Sequence, residues 1–321
     1  MSKPDISVVI PTHNRKEYLR QAIASCFEGN KAIDVEVVVV DDGSSDGTRE
    51  WLRTLDQGQV RPIFQEHKGG QEARNRGLEE AEGKYVKFLD DDDWLKYGGL
   101  EAEYIVLEKS NADISYGAYE FVDSDGTVRG REEAPPVDDV ISALLTSNLL
   151  THLHRFTYQQ TILEEITWKS QLPCRQDVDF ILQAVIQDPE FVGLNRAVAC
   201  LRQHEGESVS SKASQRNDVF PSRVHAIVLL NAIREMDRQN ILDEQRREAA
   251  AEGLWIWGHM VAAYDLPLFR EIYEEIRTQD PTFVPSRRHA LFSILDTLVG
   301  PEGTEHLTYP FRKMRQALHM R

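Results

Sequence analysis

The chain has 321 residues, 41% of them hydrophobic, with 37 basic against 53 acidic side chains and a formal net charge of −16. That length supports a large core, in one big α/β unit or in two domains. The negative balance excludes a broad electrostatic nucleic-acid binder, which needs a basic excess to neutralise phosphates. Cys26, Cys174 and Cys200 are scattered, with no Cys-x-x-Cys spacing. They imply neither a disulfide framework nor a cysteine zinc site, and they fit a reducing cytosol.

The apolar stretch Ile6 to Ile10 is too short for the core of a signal peptide and has no small-residue cleavage site behind it. No run of about 18 apolar residues occurs, so the expectation is a protein soluble in the cytoplasm or at most peripheral to a membrane. No repeat of the kind that builds solenoids is visible.

The first 130 residues alternate short β-branched runs with amphipathic stretches, the pattern of strands joined by crossover helices in a mostly parallel sheet. Ile6 to Ile10 reads as the first strand. Leu19, Ala22, Ile23, Cys26 and Phe27 then fall on one helical face. The second strand, Val35 to Val40, is nearly continuous valine, as a strand covered on both faces requires. It runs into the polar loop Asp41-Asp-Gly-Ser-Ser-Asp-Gly-Thr48, where Asp46 suits the capping of the next helix. A third strand around Val60 to Gln65 leads through His67-Lys-Gly-Gly70 to a helix over Gln71 to Ala81. Tyr85 to Leu89 forms another strand, which ends in four consecutive aspartates, Asp90 to Asp93, before Trp94-Leu95. Open α/β sheets build their binding crevices at the carboxyl ends of such strands.

From Ala112 to Val128 the pattern is strand-rich, a loop with Pro135-Pro136 leads into a helix at Val140 to Thr146, another helix spans Asp177 to Ile186, and Phe191 to Leu201 reads as a strand. Beyond the Ser/Lys-rich stretch Ser208 to Ser214 the chain reads as helix only, with stripes at Phe269, Ile272, Tyr273, Ile276 and at Leu291, Ile294, Leu295, Leu298. A boundary near residue 212 separates a domain over 1–211 from a helical region over 212–321. The acidic excess lies wholly in residues 1–210, with 22 basic and 38 acidic side chains.

Four adjacent carboxylates at a strand end are costly to hold together unless a positive charge joins them. A divalent cation meets that need, and oxygen-only ligands select hard ions such as Mg²⁺ or Mn²⁺, which keep room for substrate phosphates.

The ordered elements Val8-Val-Ile-Pro-Thr-His-Asn-Arg15, Val39 to Thr48, Gly69-Gly-Gln-Glu-Ala-Arg-Asn-Arg-Gly77 and Phe88 to Trp94 make residues 5–210 similar to the family 2 inverting glycosyltransferases. The resemblance implies a GT-A type α/β fold, with a mostly parallel sheet flanked by helices, here followed by an all-helical carboxyl-terminal extension. It implies transfer of a sugar from a nucleoside diphosphate donor, foremost a UDP-sugar, to a hydroxyl of a glycan or glycolipid, with Mn²⁺ or Mg²⁺ as cofactor. Pro11, Thr12, Asn14 and Asp42 fall where the family holds the nucleobase and ribose, and Arg74 looks like its nucleotide-side arginine. The Asp-x-Asp motif maps onto Asp90, Asp91 and Asp92, with Asp92 on the metal and Asp91 or Asp90 facing the ribose, while Asp93 is left as a helix cap. His204 falls where relatives carry a histidine that completes the metal site or touches the diphosphate, and Ser208 to Ser214 as a lid over the donor.

Inversion by direct displacement needs a carboxylate that removes the acceptor proton. The family's Glu-Asp pair matches Gln176-Asp177, which makes Asp177 the candidate base and Asp179 its competitor. His152 and His154 lie in the segment that relatives use near the acceptor. Gln176, in place of the glutamate, keeps a non-catalytic sugar-nucleotide- or glycan-binding partner of the same fold as the rival reading. A pyrophosphorylase or a Rossmann oxidoreductase is disfavoured because Pro11 to Arg15 is no glycine-rich phosphate loop. The end, with Arg312, Lys313 and Arg315 beside Phe311, Met314 and Leu318, suits an anionic membrane carrying a lipid-linked acceptor and equally an ordinary docking helix.

Overall fold

In a computed structural model, the described residues are 3–55, 58–123, 126–134, 137–146, 152–203, 219–262, 264–285 and 299–309. Strand β1 (Ile6–Thr12) is buried at all seven positions, and β2 (Val35–Asp42) at seven of eight. Burial on both faces is what their continuous apolar sequences anticipate, and it demands helices above and below a parallel sheet. Helix α1 (Lys16–Phe27) supplies one layer by burying Leu19, Ala22, Ile23 and Cys26.

After the short helix α2 (Thr48–Leu52) come β3 (Val60–Gln65), α3 (Gly70–Glu80) and β4 (Tyr85–Phe88). β2 pairs with β1 and β3 with β2, all parallel, but β4 returns to pair with the opposite edge of β1. The order 3-2-1-4 therefore reverses beside β1, and the carboxyl ends of β1 and β4 flank a topological switch point, where such sheets bind ligands. α3 approaches closely because Gly77 has no side chain: a Cβ there would stand 2.3 Å from Val9 Cγ1.

The parallel arrangement holds for this half, while the other half is largely antiparallel. The short strand β5 (Trp94–Leu95) and helix α4 (Gly99–Ser110) precede β6 (Ile114–Val122) and β7 (Val128–Glu132); β8 (Phe156–Gln159), helix α6 (Gln176–Val185) and β9 (Phe191–Arg202) follow helix α5 (Val140–Thr146). The sheet order is β3-β2-β1-β4-β8-β6-β9-β5, with β7 on β6. β8 is antiparallel to both β4 and β6, and β9 runs parallel to β6. Beneath the site, Lys87 on β4 and Glu103 on α4 form a fully buried ion pair at 2.7 Å, with Thr157 Oγ1 3.3 Å from the ammonium. Leaving either partner alone would strand a buried charge, so the pair ties α4 to the sheet centre.

The chain divides into two compact units. The strands with α1–α4 and α6 form the first; α5 groups with α7 (Val219–Arg238), α8 (Glu244–Val261) and α9 (Leu266–Gln279) in the second. Asp243 and Asp265 cap α8 and α9 by accepting the Arg246 and Leu268 N–H groups at 2.8 and 3.1 Å. Phe269, Ile272 and Ile276 are fully buried, and Trp255 and Trp257 also pack inside, while Met260 is exposed. No helix among the described residues is long and apolar enough to cross a membrane. The stripe Leu291 to Leu298, the segment Ser208 to Ser214, His204 and the basic stretch Arg312 to Arg315 lie outside the described residues.

Candidate active site

Thr12, the last residue of β1, and the turn that follows β4 meet at the switch point, where Thr12 Oγ1 donates to Asp91 Oδ2 at 2.7 Å. Each of the four aspartates meets a side-chain cation. Arg15, one residue before α1, pairs with Asp92 and lies 3.2 Å from Asp91 Oδ1. Arg74, on the first turns of α3, pairs with Asp90. His154 Nε2 lies 2.8 Å from Asp93 Oδ2 and 3.4 Å from Asp90 Oδ2. The positive charge that the Asp90–Asp93 run demands is thus supplied in part by the protein itself.

Asp93 is not a helix cap. A two-residue strand, β5, follows it, and its carboxylate faces His154 while Oδ1 accepts the Arg202 N–H at 2.7 Å, pinning the end of β9. His154 likewise faces these carboxylates, and His152 packs on Tyr119 with ring centroids 5.1 Å apart.

The environments drive these groups apart. Burial opposes the charge on Asp90, but Arg74 and His154 outweigh it and hold this carboxyl far below the usual range. Burial pushes Asp91 up to about 7, with Thr12 and Arg15 compensating only partly and Asp92 and Asp90 adding repulsion. Burial also disfavours a charged His154, yet Asp93 and Asp90 raise it to about 10, so it is an imidazolium at neutral pH.

Asp177 lies in the first turn of α6, two residues after the N-cap Arg175, whose φ of 63° makes the tight entry into the helix. Burial raises its carboxyl above the ordinary aspartate value, Arg74 and His154 act against that rise, and Asp90 adds to it. The base candidate therefore shares one electrostatic neighbourhood with the Asp90 end of the aspartate run. Asp179, two residues on, is engaged elsewhere, accepting from Lys169 Nζ and Gln183 Nε2 at 2.7 Å each. Gln176 donates to the Leu172 carbonyl at 2.8 Å, closing the loop before the helix.

At the end of β2, Asp42 is almost completely buried and its carboxylate accepts three hydrogen bonds, from Gln65 Nε2 at 2.7 Å and from the Lys68 and Gly69 N–H groups at 2.8 Å, while His67 Nδ1 bonds the Asp42 backbone carbonyl at 3.1 Å and lies 2.9 Å from Oδ2. Burial disfavours its charge, but these bonds prevail and hold the carboxyl below its ordinary value. Asn14 braces the neighbouring loop: its side chain accepts the Ser45 N–H at 2.7 Å and its own N–H donates to Ser44 Oγ at 2.9 Å. Gly47 takes the N-cap position of α2 in a left-handed conformation, and Asp46, one residue earlier, accepts the Thr48 N–H at 3.0 Å. Pro11 stands in register with Val40, one position before Thr12.

Among the described residues, two groups of side chains offer metal-ligating atoms within 4.8 Å of one another: Asp90, Asp93 and His154, and His13, Asp42 and His67. The second is tied into the hydrogen bonds at Asp42. The carboxylates of Asp91 and Asp92 already hold a guanidinium between them, so they fit a cation, and their hard oxygen atoms suit Mg²⁺ or Mn²⁺. Arg15 and Trp168 escaped the reading of the sequence as site residues, and His154 was read near the acceptor without its place beside Asp90 and Asp93. Arg15 stood inside the quoted first-strand element, and the need for countercharge at four carboxylates was the signal that could have singled it out.

The description "Glycosyl transferase family 2" belongs to the family model that matches residues 7–170. The putative teichuronic acid biosynthesis glycosyltransferase TuaG of Bacillus subtilis is 28% identical over 220 residues, which is 65% of this chain and 83% of that protein. Several other curated relatives match over about 120–130 residues, and the chain spans about half or less of their length. Among solved structures, S. aureus TarS 1-349 in complex with UDP-GlcNAc superposes with a TM-score of 0.57 at 18% identity, over 86% of this chain and 89% of that one. The mannosyltransferase PcManGT from Pyrobaculum calidifontis, in complex with GDP-Man and Mn²⁺, gives 0.51 at 14% identity over 98% and 88%. At these identities the two structures show a common fold.

Proposed function

Because the chain belongs to glycosyl transferase family 2 and has the GT-A fold, we propose that this glycosyltransferase moves a sugar, with inversion, from a UDP-sugar to a hydroxyl of a glycan or lipid-linked glycan acceptor in cell-surface polysaccharide synthesis. The observation that carries the reading is the placement of Asp177: a carboxylate with a raised pKa, in the same neighbourhood as Arg74 and the Asp90 end of the aspartate run. A base must hold its proton affinity near the working pH and sit where the donor's anomeric carbon arrives.

In this reading Pro11, Thr12, Asn14 and Asp42 receive the base and ribose. The ionised Asp42 carboxylate would accept from a pyrimidine N–H on the side where His67, whose side chain is 63% exposed, borders it. Asp90 and Asp91 meet the ribose, and Arg74 the diphosphate. Asp92, with His204, would hold Mn²⁺ or Mg²⁺. Such an ion neutralises the charge that grows on the departing nucleoside diphosphate. Arg74 is held in place by Asp90, so the donor meets a preorganised positive group. Asp177 takes the acceptor proton as the hydroxyl attacks from the face opposite the diphosphate. The likeness to TuaG, of teichuronic acid biosynthesis, and to TarS in complex with UDP-GlcNAc supports the polymer context and the UDP donor.

The test is a transfer assay with Mn²⁺ and a panel of UDP-sugars, with product anomeric configuration read by NMR. Asp177→Asn abolishes transfer while UDP still raises the melting temperature of the variant, because binding and proton removal use different residues. Full transfer by Asp177→Asn sinks the base assignment. Donor binding without transfer or donor hydrolysis in the native protein favours the non-catalytic reading.

A further inference from the structure

The three cations that meet the aspartate run differ in how firmly they are held. The His154 side chain is 5% exposed and that of Arg74 15%, with the Arg74 guanidinium carbon 4.9 Å from the centroid of the Trp168 ring. Arg15 is 45% exposed, and its guanidinium reaches the carboxylates from solvent, across the crevice between the β1–α1 turn and the turn after β4. Its partners, by contrast, are 8% exposed at Asp91 and 15% at Asp92. A half-exposed arginine thus covers two nearly buried carboxylates, one of them the carboxylate given above to the metal.

A guanidinium and a divalent ion cannot share these oxygen atoms. The N–H groups of Arg15 point at the lone pairs that an ion would take, and the two positive charges repel. We propose that Arg15 is the placeholder cation of the metal seat: it neutralises Asp91 and Asp92 in the metal-free protein, is displaced when a divalent ion binds there, and then turns to the donor's diphosphate. This proposal rests on the metal role of Asp92 given above. It makes Arg15 a positioning residue that sets the order and the mutual dependence of metal and donor binding.

The consequence is a coupling. A metal ion arriving alone must evict Arg15 into water, so it binds weakly. With a nucleoside diphosphate present, the evicted guanidinium gains an anionic partner, and arginine suits phosphate oxygens well. Metal and nucleotide therefore favour each other's binding by the same factor, as linkage requires, and part of that factor belongs to Arg15. Removing Arg15 lets the metal alone bind more tightly and shrinks the coupling.

Mn²⁺ binding to the full chain, followed by the EPR signal of the free ion with and without UDP, tests this in the native protein, Arg15→Ala and Arg15→Lys. Arg15→Ala is expected to bind Mn²⁺ alone at least about fivefold more tightly than the native chain, the scale of losing one competing ion pair. UDP then improves its Mn²⁺ affinity by a smaller factor than in the native protein, and Arg15→Lys, which keeps the charge, stays near native. Unchanged or weaker Mn²⁺ binding by Arg15→Ala, in a protein whose native form binds Mn²⁺ with UDP, overturns the placeholder alone. A native protein that takes up no Mn²⁺ even with UDP overturns the metal role of Asp92 and the placeholder with it. Thermal unfolding without ligand checks that each variant is folded, and Arg15→Gln, with the same expected tightening, replaces Arg15→Ala if the latter is not.

Discussion

The Arg74 guanidinium carbon sits 4.9 Å from the centroid of the Trp168 ring, while the same side chain pairs with Asp90. Trp168 in turn stacks on Phe180 with centroids 4.2 Å apart and planes 14° from parallel. Phe180 is three residues from Asp177 on α6. The backbone of Trp168 is clamped from α3, because Asn75 accepts its N–H at 2.7 Å and donates to its carbonyl at 2.9 Å. One aromatic ring therefore positions the arginine proposed for the diphosphate and the helix that carries the proposed base.

Trp168→Leu removes that shared surface without emptying the core completely. It is expected to raise the donor KM several-fold and to lower kcat at least about tenfold, since small displacements of reacting groups are costly. It also destabilises the fold by roughly 2–4 kcal/mol. Trp168→Phe keeps a ring face and should recover most of the kcat. Steady-state kinetics on both variants, beside denaturant unfolding, separates the two effects: equal kcat in the Leu and Phe variants at full folding would refute a positioning role.

Asp91 yields a stability prediction with a definite sign. Its folded pKa is raised to about 7, so the unfolded chain ionises first as pH rises, and the folded state is penalised increasingly from about pH 4 until the carboxyl ionises near pH 7. Asp91→Asn removes the ionisation and keeps an oxygen to accept from Thr12 Oγ1. The variant should match the native protein near pH 3.5 and be more stable at pH 8 by on the order of 1–3 kcal/mol. Melting temperatures across that range check it, and a variant less stable than native at pH 8 would show that the Arg15 pair outweighs burial.

How far the sequence revealed this site depends on the kind of signal each residue leaves. The valine-rich β2, the Leu19 to Cys26 stripe and the polar strand ends are local patterns, so the parallel half and its crevice were readable. Asp177 was singled out by position alone, and the structure places it in the first turn of α6, in the electrostatic neighbourhood of Arg74 and Asp90. The antiparallel half was less visible, because the pairing of β8 with β4 and β6 joins segments distant in sequence and no local period encodes it. The partners of the aspartates were hidden for the same reason. Arg15 and His154 are 76 and 61 residues from Asp91 and Asp93, and only the folded sheet edge brings them together. Asp93 looked like a cap because caps and ion-pairing aspartates share one residue type.

His154 gives a prediction of opposite pH dependence. Its folded pKa of about 10 lies above the ordinary histidine value, so its charge contributes stability fully below about pH 6.5 and loses it as pH rises through about 10. His154→Gln should therefore be destabilised by a few kcal/mol at pH 6, where it leaves Asp93 without its buried countercharge and Asp90 with Arg74 alone. The gap to the native protein should narrow steadily between pH 7 and 10. Parallel unfolding curves with a pH-independent gap would contradict a charged His154.

In the helical unit the decisive contact is backbone against backbone. A Cβ at Gly253 on α8 would stand 2.0 Å from the Leu145 carbonyl oxygen and 2.9 Å from its carbon on α5, so no rotamer change can relieve the overlap. Alanine ordinarily favours a helix over glycine by about 1 kcal/mol. Here the helices must separate, exposing apolar area around Leu144 and Leu145, which are now buried. Gly253→Ala should consequently lose about 1–3 kcal/mol on balance despite its better propensity. Thermal or urea unfolding measures it directly, and a variant as stable as the native chain would mean that α5 yields easily and that the close approach at Gly253 does not hold it in place.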